Sequence, residues 1–279
     1  MQSNIKIFMC AHKNFSLLPA FTTAYQGGAS INPRLQGALP DYGDGGSISE
    51  KNPDYCELTV QYYAWKNETA DYYGFCHYRR FISFDENIKR PYLVFGESLK
   101  KKYLDKIKDE ALVRAQIESC DAVLPRSENL WCDVYTQFAE ADGCQESDIR
   151  IFEELIGKKY PELLPFAIKY FSGTRQYFCN MFVMKKDIFF DYCDKLFSLL
   201  SEFDEIKNPD GRVRGDRLDG FLAERFLGVY AEYLRATGRT VTEFARLDIN
   251  CRLKKRILYR LFPPESKLRL FVKKHIWRV

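Results

Sequence analysis

The chain has 279 residues, enough for one large α/β domain or for one domain with an appendage, and its 46% hydrophobic and 29% charged residues are typical of a folded protein. No run of about 18 apolar residues occurs and the first ten residues lack the pattern of a signal peptide, so neither a transmembrane helix nor export is expected. The nine cysteines include no CxxC pair or zinc-like spacing, which favours reduced thiols in the cytoplasm.

The net charge of +4 conceals a basic C-terminal segment. Residues 246–279 contain 11 Lys and Arg and two acidic residues, which gives this segment +9 and leaves −5 for residues 1–245. We therefore expect two parts, a folded domain over residues 1–245 and a basic amphipathic helical tail over residues 246–279.

Hydrophobic periodicity predicts alternating strands and helices over most of the chain. The apolar residues around Gly74 suggest an inner strand that is covered on both faces of a sheet. Asn52 and Pro53 are suited to begin a helix, since Asn caps helices and Pro tolerates the first helical position. The predicted strands are 5–11, 72–76, 121–126, 177–184 and 241–244, and the predicted helices are 52–67, 97–119, three between 133 and 171, 187–202 and 217–235.

Polar side chains follow two of the predicted strands at their carboxyl ends, which is where ligands bind in open α/β sheets. Adjacent arginines at such a place offer forked donors suited to a phosphate or pyrophosphate. The alternative is that the arginines pair with surface carboxylates while the aromatic rings pack at the strand end. The residues concerned are His12 and Lys13 after the first strand, and His77, Tyr78, Arg79 and Arg80 after the strand at 72–76.

A long loop rich in Gly, Pro, Asn and Asp is predicted over residues 25–49. Loops longer than about 12–15 residues in compact domains are usually functional or disordered. The loop ends in the glycine-rich stretch 41–49, whose backbone N–H groups could cradle a phosphate. Its spacing matches neither a P-loop nor a dinucleotide-binding fingerprint.

Three polar residues within predicted helices or strands have both a structural and a functional interpretation. Glu57 falls in the first turn of the helix at 52–67, where an acid favours the helix dipole. Asn180 interrupts an apolar strand and is either a structural bridge or a ligand contact, because a buried Asn needs partners. Glu224 lies beside an apolar helix stripe, where it could act as a base of raised pKa or form an ion pair with Arg225 or Arg217.

The tail consists of two basic amphipathic segments on either side of Pro263 and Pro264. Basic amphipathic helices suit an anionic membrane surface, whereas no nucleic-acid-binding motif accompanies the charge. The tail could also pack on the domain with its Lys and Arg exposed. The apolar positions are Leu253, Ile257, Leu258, Leu261 and Phe262 in the first segment, and Leu268, Phe271, Val272, Ile276 and Trp277 in the second.

Five segments occur here in a characteristic order: 43–49, 51–59, GFCHYRR at 74–80, CNMF at 179–182 and GFLAER at 220–225. Together they resemble a bacterial family, long labelled a domain of unknown function, that is found in capsule and O-antigen biosynthesis. Its members are treated as glycosyltransferases, and some are associated with galactofuranose transfer. The resemblance covers residues 4–245 and leaves the basic tail outside it.

The resemblance implies a GT-A-like, Rossmann-related mixed sheet flanked by helices, with the basic helical tail appended. It implies a UDP-sugar donor, with UDP-galactofuranose as a candidate, and a lipid-linked oligosaccharide acceptor. Such enzymes usually carry a metal-binding D-x-D after a central strand, and this chain has none there. That departure puts Mn²⁺ or Mg²⁺ in doubt, since Arg79 and Arg80 could offset the diphosphate charge, while His77 could contact phosphate or metal.

The resemblance also implies roles for individual residues. Glu224 is expected to deprotonate the acceptor in an inverting reaction, with Asp219 as the second candidate and Asn180 near the sugars. The enzyme is expected in the cytoplasm, held peripherally at the inner face of the plasma membrane by residues 251–279. The residues expected to bind the nucleotide sugar are His12, Lys13, Asp44, Ser47, His77, Tyr78, Arg79, Arg80 and Asn180.

Three other functions remain open at the level of sequence. The chain could be a non-catalytic nucleotide- or carbohydrate-binding component of a polysaccharide assembly. It could be a phosphotransfer or phosphate-ester enzyme that uses His77. A nucleic-acid binder acting through the tail is not expected, and such a protein would show steeply salt-dependent binding.

Overall fold

A mixed β-sheet with helices on both faces forms the core of the chain, as seen in a computed structural model that describes residues 2–141 and 143–275. Within these residues the sheet has ten strands, and β8 and β9 form a separate ribbon. The strands are β1 (Ile5–Ala11), β2 (Thr22–Gln26), β3 (Leu39–Pro40), β4 (Tyr72–His77), β5 (Arg80–Ile82), β6 (Tyr92–Val94), β7 (Ala122–Pro125), β8 (Glu128–Asn129), β9 (Arg175–Gln176), β10 (Phe182–Lys185), β11 (Val241–Phe244) and β12 (Arg246–Asp248).

The strand order of the main sheet is β11-β7-β10-β4-β1-β2-β3. All neighbours on this path are parallel except β10, which runs antiparallel to both β4 and β7. A side arm leaves β4 through the antiparallel strand β5, which pairs with β12, and β12 in turn pairs with β6. The predicted fold class, a mixed sheet flanked by helices, is confirmed.

The helices cover the two faces of the sheet and bury a separate apolar cluster on each. Successive residues of β1 point to opposite clusters, with Phe8 in one and Ile7 and Met9 in the other, which explains why the strand is apolar from Ile7 to Ala11. The helices are α1 (Asn52–Tyr55), α2 (Leu58–Asn67), α3 (Lys101–Lys108), α4 (Glu110–Glu118), α5 (Val134–Ala139), α6 (Glu146–Lys159), α7 (Leu164–Phe171), α8 (Lys186–Lys207), α9 (Leu218–Ala236), α10 (Leu253–Leu261) and α11 (Lys267–His275).

Gly74 lies at the centre of the sheet, in β4 between β1 and β10. A Cβ atom at this position would lie 2.9 Å from both Ile7 Cγ1 and Val183 Cγ2. Glycine is therefore required here for close packing across two strand pairs rather than for a turn.

The structure differs from the sequence prediction where the chain breaks a regular element. The helix predicted over 52–67 is two helices, because Cys56 between α1 and α2 has a φ of +51°. The helix predicted over 97–119 is divided at Asp109, whose side chain caps α4 by accepting from Leu112 N. The strand predicted over 177–184 begins only at Phe182, since Cys179 and Asn180 have φ angles of +80° and +44°.

The C-terminal segment begins inside the sheet. Residues 246–248, which sequence analysis placed at the start of the tail, form β12, and the two predicted basic helices follow as α10 and α11. Ile276 and Trp277 lie outside the described residues. No helix of the described ranges is both long and apolar enough to cross a membrane.

The two tail helices expose apolar side chains beside their cations. Leu253 is 65% exposed, and α10 buries none of its residues. The other large apolar side chains exposed here are Ile257, Leu261, Leu268 and Phe271.

Candidate active site

A cleft of about 690 Å³ opens at the carboxyl ends of β1, β2 and β4. These three strands are parallel and adjacent, so the residues that follow them meet at one edge of the sheet. His12 follows β1, Gly27 follows β2, and Tyr78 follows β4, and all three line the cleft. This is the place where open α/β sheets bind their ligands.

Four arginines line the cleft: Arg34, Arg79, Arg80 and Arg217. Among the described residues, none of them has a carboxylate oxygen within 4.0 Å, the distance of an ion pair. Arginines elsewhere in the chain, such as Arg214, Arg225 and Arg246, are each paired with an acid. The cleft therefore carries an excess of positive charge, which favours a polyanionic ligand such as a diphosphate.

Tyr78 and Arg79 form the turn between β4 and β5, since His77 pairs with Arg80 across it. The turn is fixed at both residues: Tyr78 N donates to Cys10 O at 3.1 Å, and Ile249 N donates to Arg79 O at 2.9 Å. Residues 77–80, predicted to follow a strand end, thus form a rigid hairpin whose side chains line the cleft.

The ring of Tyr78 packs edge-on against His12, with ring centroids 4.9 Å apart and the Tyr78 hydroxyl 3.4 Å from His12 Nε2. The Arg79 guanidinium lies 5.6 Å from the centre of the same ring. Burial and the nearby cations Lys13 and Arg79 lower the pKa of His12. His12 is therefore neutral at physiological pH and can accept or donate a hydrogen bond at the cleft wall.

His77 is also held neutral. Burial, followed by the charge of Arg80, lowers its pKa to about 3. Its Nε2 donates to Cys179 O at 2.7 Å, because a carbonyl can only accept, and the same nitrogen lies 3.9 Å from Glu57 Oε1.

Glu57 and Asn180 form a hydrogen-bonded pair: Glu57, whose side chain is 16% exposed, lines the cleft, whereas the buried Asn180, predicted to bind the donor, lies behind it and outside the cleft lining. Asn180 Nδ2 donates to Glu57 Oε1 at 2.8 Å and to Gly220 O at 3.1 Å. Asn180 is 2% exposed, and its Oδ1 has no hydrogen-bond partner within the described residues. Burial raises the pKa of Glu57, although the Asn180 bond and the charges of Arg217 and Arg80 oppose this shift.

Glu224, the predicted base, is not among the residues that line the cleft. Its Oε1 accepts from Cys179 N at 2.7 Å and its Oε2 accepts from Arg225 Nη1 at 3.2 Å. Arg225 is 1% exposed and also donates to Gln137 Oε1 at 2.6 Å. Burial raises the pKa of Glu224, with Arg225 acting against it and Glu57 adding to it. Both carboxylate oxygens are thus already used inside the protein.

Asp219, the second predicted base, belongs to a different group of acids. It is fully buried and accepts from Arg214 Nη2 at 2.5 Å. Burial, followed by the charge of Asp204, raises its pKa to about 8, with Asp54 and Asp216 contributing further. The structure does not bring Asp219 to the cleft, because its side chain points to this acidic group around Arg214.

The structure does not bring Asp44 and Ser47 to the cleft either. Gly45 N, next to Asp44, donates to Asn67 Oδ1 at the last residue of α2, whereas Glu57 precedes the first. A helix of this length places the two ends about 15 Å apart. Ser47 Oγ donates to Asp41 O at 3.3 Å. Residues 43–46 of the glycine-rich stretch therefore dock on the far end of α2 instead of cradling a ligand at the cleft.

Lys13 is exposed beside His12 at the end of β1. Its contribution to the pKa of His12 shows that its charge acts at the edge of the cleft.

Sequence analysis missed three charged residues of the cleft, Glu57, Arg34 and Arg217. Glu57 was assigned to the helix dipole because the helix was expected to continue through Cys56. Arg34 lies in the loop predicted over 25–49, and Arg217 precedes α9 in a left-handed conformation with φ of +64°. The length of the loop was the available signal for Arg34, whereas the sequence around Arg217 contains no comparable signal.

The residues of the cleft do not fit a divalent metal ion held by the protein. Glu57 is the single carboxylate among the cleft residues described, against four arginines, and the Nε2 of His77 is occupied as a donor. Residues 2–141 and 143–275 contain no group of three or more His, Cys, Asp or Glu side chains that could hold a metal ion.

Comparisons with known proteins identify relatives of the chain. Residues 6–235 match the model of the family described as "Domain of unknown function (DUF4422)". The chain is similar to a solved "WbbM bifunctional glycosytransferase apo structure", with 29% sequence identity and a TM-score of 0.79. The match covers 89% of this chain and 46% of that one, so the chain spans about half the length of the solved protein. No curated protein matches the sequence.

Proposed function

Because the chain belongs to the DUF4422 family, we infer its function from the cleft together with the glycosyltransferase that it resembles. We propose that it is a glycosyltransferase that uses a nucleotide-sugar donor, with UDP as the nucleotide. The observation that carries the proposal is the set of four arginines without acidic partners at the carboxyl ends of β1, β2 and β4.

The chemistry of glycosyl transfer needs such a site. When the bond between the sugar and the diphosphate breaks, negative charge develops on the leaving nucleoside diphosphate, and fixed positive groups stabilise it. Arg79 and Arg80 belong to a hairpin held by Cys10 O and Ile249 N, so their positions are set before the donor binds. Arginine forks can bind two phosphate oxygens at once, which suits a site without a protein-held metal ion.

The donor sugar and the acceptor are proposed from the motifs that the chain shares with capsule and O-antigen enzymes. We propose transfer of a hexosyl group, with UDP-galactofuranose as the first donor to test, onto a lipid-linked oligosaccharide. The residues proposed to contact the donor are His12, Lys13, Arg34, His77, Tyr78, Arg79, Arg80 and Arg217.

The tail supports a location at a membrane. The helices α10 and α11 combine exposed apolar side chains such as Leu253 with a strong excess of Lys and Arg, as interfacial helices do. We propose that they bind the anionic inner face of the plasma membrane, where a lipid-linked acceptor is presented.

Thermal unfolding with a panel of nucleotides and UDP-sugars, in Mn²⁺ and in EDTA, tests the proposal. A ligand at 100 times its Kd stabilises a protein by about 2.7 kcal/mol, which corresponds to roughly 5–10 °C for a protein of this size. We expect such a shift with UDP and with one UDP-sugar, and we expect it to persist in EDTA. No shift with any nucleotide would contradict the proposal, and binding without transfer would favour a non-catalytic nucleotide- or carbohydrate-binding component.

A further inference from the structure

Two carboxylates, Glu57 and Glu224, lie in the hydrogen-bonded network behind the cleft, and they differ in what they can still bind. Glu224 accepts from Cys179 N through one oxygen and from Arg225 through the other. Glu57 accepts from one described side chain, Asn180, and lines the cleft. A carboxylate can accept about four hydrogen bonds, so Glu57 retains capacity for a group that enters the cleft.

We propose that Glu57 is the general base of the transfer reaction and that Asn180 is the positioning residue that holds it toward the cleft. This inference rests on the proposed glycosyltransferase function.

The break between α1 and α2 sets the position of Glu57. Cys56 adopts φ of +51° and ψ of −128°, and Asn52 Nδ2 donates to Cys56 O at 2.7 Å, which stabilises the break. Glu57 therefore stands at the start of α2, facing the cleft, instead of in the middle of a continuous helix. A side chain at the end of a rigid element is placed more accurately than one in a loop.

Two strained residues set its orientation. Cys179 and Asn180 both have positive φ, which costs of order 1–3 kcal/mol for each non-glycine residue. Through this geometry Cys179 O receives His77 Nε2, while Asn180 Nδ2 reaches Glu57. Asn180 also leaves a buried Oδ1 without a partner among the described residues, at a further cost of about 1–3 kcal/mol.

The charged and titratable groups that face Glu57 are the cations Arg80 and Arg217, the second carboxylate Glu224, and four groups neutral at physiological pH, Cys10, Cys56, His77 and Tyr192. Burial raises the pKa of Glu57 toward the operating pH, which makes its carboxylate a stronger base than an exposed one. The charges of the two arginines act against this shift, because they favour the ionised carboxylate.

In the proposed step, the acceptor hydroxyl oxygen attacks the anomeric carbon of the donor sugar and forms the new glycosidic C–O bond. The bond between that carbon and the phosphate oxygen breaks, and its electron pair leaves with the nucleoside diphosphate beside the arginines. The proton of the acceptor hydroxyl passes to Glu57. This sequence inverts the configuration at the anomeric carbon.

The test compares wild-type protein with Glu57→Gln, using UDP-galactofuranose or whichever UDP-sugar stabilises the wild type most, and an octyl galactoside acceptor. The variant preserves the Asn180 bond, because the amide oxygen can replace Oε1. We expect donor affinity within about twofold of wild type and a fall in kcat of about 10²–10⁴, the usual contribution of a general base. Glu50→Gln, an exposed acid close in sequence, is the matched control and should behave as wild type.

Two further variants separate catalysis from folding. In the wild type, kcat should fall at acid pH as Glu57 becomes protonated. Glu57→Asp keeps a carboxylate, so it should show the same fall at a lower overall rate. Glu57→Gln should lose this pH dependence. Glu57→Ala should regain part of its activity in sodium formate, which supplies a small carboxylate.

A Glu57→Gln variant with kcat within tenfold of wild type would overturn the assignment of the base and leave the glycosyltransferase proposal intact. Wild-type protein that binds UDP-sugars without transferring any of them would overturn both.

Discussion

Asn180 donates its side-chain amide to Glu57 over 2.8 Å, although the two residues are 123 positions apart in the chain. The bond joins the break between α1 and α2 to the irregular segment before β10. Both segments leave regular secondary structure at residues with positive φ, Cys56 on one side and Cys179 with Asn180 on the other. The floor of the cleft is therefore made where the chain departs from its helices and strands, not where it follows them.

Replacing Arg79 with alanine should weaken UDP binding about 10- to 100-fold. A hydrogen bond to a charged group contributes about 1.5–3 kcal/mol, and each 1.4 kcal/mol is about tenfold in affinity. Calorimetric titration with UDP measures the change. The fold should persist, because Arg79 has no acidic partner among the described residues. Arg212→Ala, which removes an arginine whose side chain is 85% exposed and paired with Asp210, is the control. Unchanged affinity in a folded Arg79→Ala protein would remove Arg79 from the site.

Introducing aspartate at both Ile257 and Leu261 should lower binding to vesicles that contain anionic phospholipid by at least about tenfold. Each apolar side chain contributes about 1.5–3 kcal/mol when fully buried, and the new carboxylates are repelled by the lipid. Co-sedimentation with phosphatidylglycerol vesicles measures the effect. Ile206→Asp, at an apolar residue of α8 that is 51% exposed, should bind as the wild type does. Equal sedimentation of all three proteins would argue that the tail packs on another surface.

The stability of the Asp219→Asn variant relative to wild type should increase as pH rises from 5 to 9. The native Asp219 holds its proton up to a pKa of about 8, whereas the unfolded chain releases it near 3.8. The native state thus binds more protons in this window, and its stability falls with rising pH because of this group. An asparagine does not titrate, while Asp54, Asp204, Asp216 and Arg214 remain in both proteins. The difference in Tm between variant and wild type should therefore grow with pH. A difference that is constant from pH 5 to 9 would show that Asp219 is ionised throughout.

Gly228→Ala should destabilise the protein strongly. A Cβ atom at this position in α9 would lie 1.8 Å from Tyr170 Cζ of α7. The Tyr170 hydroxyl is held in place, since it donates to Gln176 Oε1 and accepts from Tyr177 N. Overpacking of this kind costs typically about 1–3 kcal/mol or more, which is roughly 2–4 °C of Tm for each kcal/mol.

The same substitution at Gly157 in α6 provides the control for Gly228. There the nearest atom is the flexible end of Leu164 at 3.1 Å, so the helix propensity of alanine should offset the contact. Differential scanning calorimetry on the two variants compares them directly. A similar Tm in both would mean that α7 and α9 can separate at little cost.

Much of the fold could be predicted from the sequence, because an inner strand or an amphipathic helix carries its own hydrophobic pattern. The strands at 5–11 and 241–244 were predicted at the positions of β1 and β11, and the three short helices between 133 and 171 exist as α5, α6 and α7. β12 was missed because it has only three residues, two of them charged. Arg246 Nε donates to Asp248 Oδ1 at 2.7 Å, and both side chains are buried. In the sequence, two charged residues in a segment of three are typical of an exposed segment.

The site could be predicted only in part. The residues 77–80 were recognised because strand ends in parallel sheets converge at one edge, a rule that needs no knowledge of distant contacts. The position of Glu57 in the cleft could not be predicted without knowing the conformation of Cys56. The sequence does not show that this cysteine adopts positive φ and divides the helix. Asp44 and Asp219 were associated with the site by the family resemblance. Asp44 is instead exposed beside Gly45, whose N donates to Asn67 of α2, and the Asp219 side chain turns to Arg214.

The hydrogen bond from Ile249 N to Arg79 O joins the cleft to the tail, because α10 begins only four residues later at Leu253. Four residues of extended chain span at most about 14 Å. In a molecule whose tail lies on a bilayer, this short tether sets the height of the donor site above the lipid head groups. The length of glycan between the acceptor lipid and its terminal sugar would then determine whether that sugar reaches the cleft. Acceptor size would be selected by distance from the membrane as well as by contacts in the site.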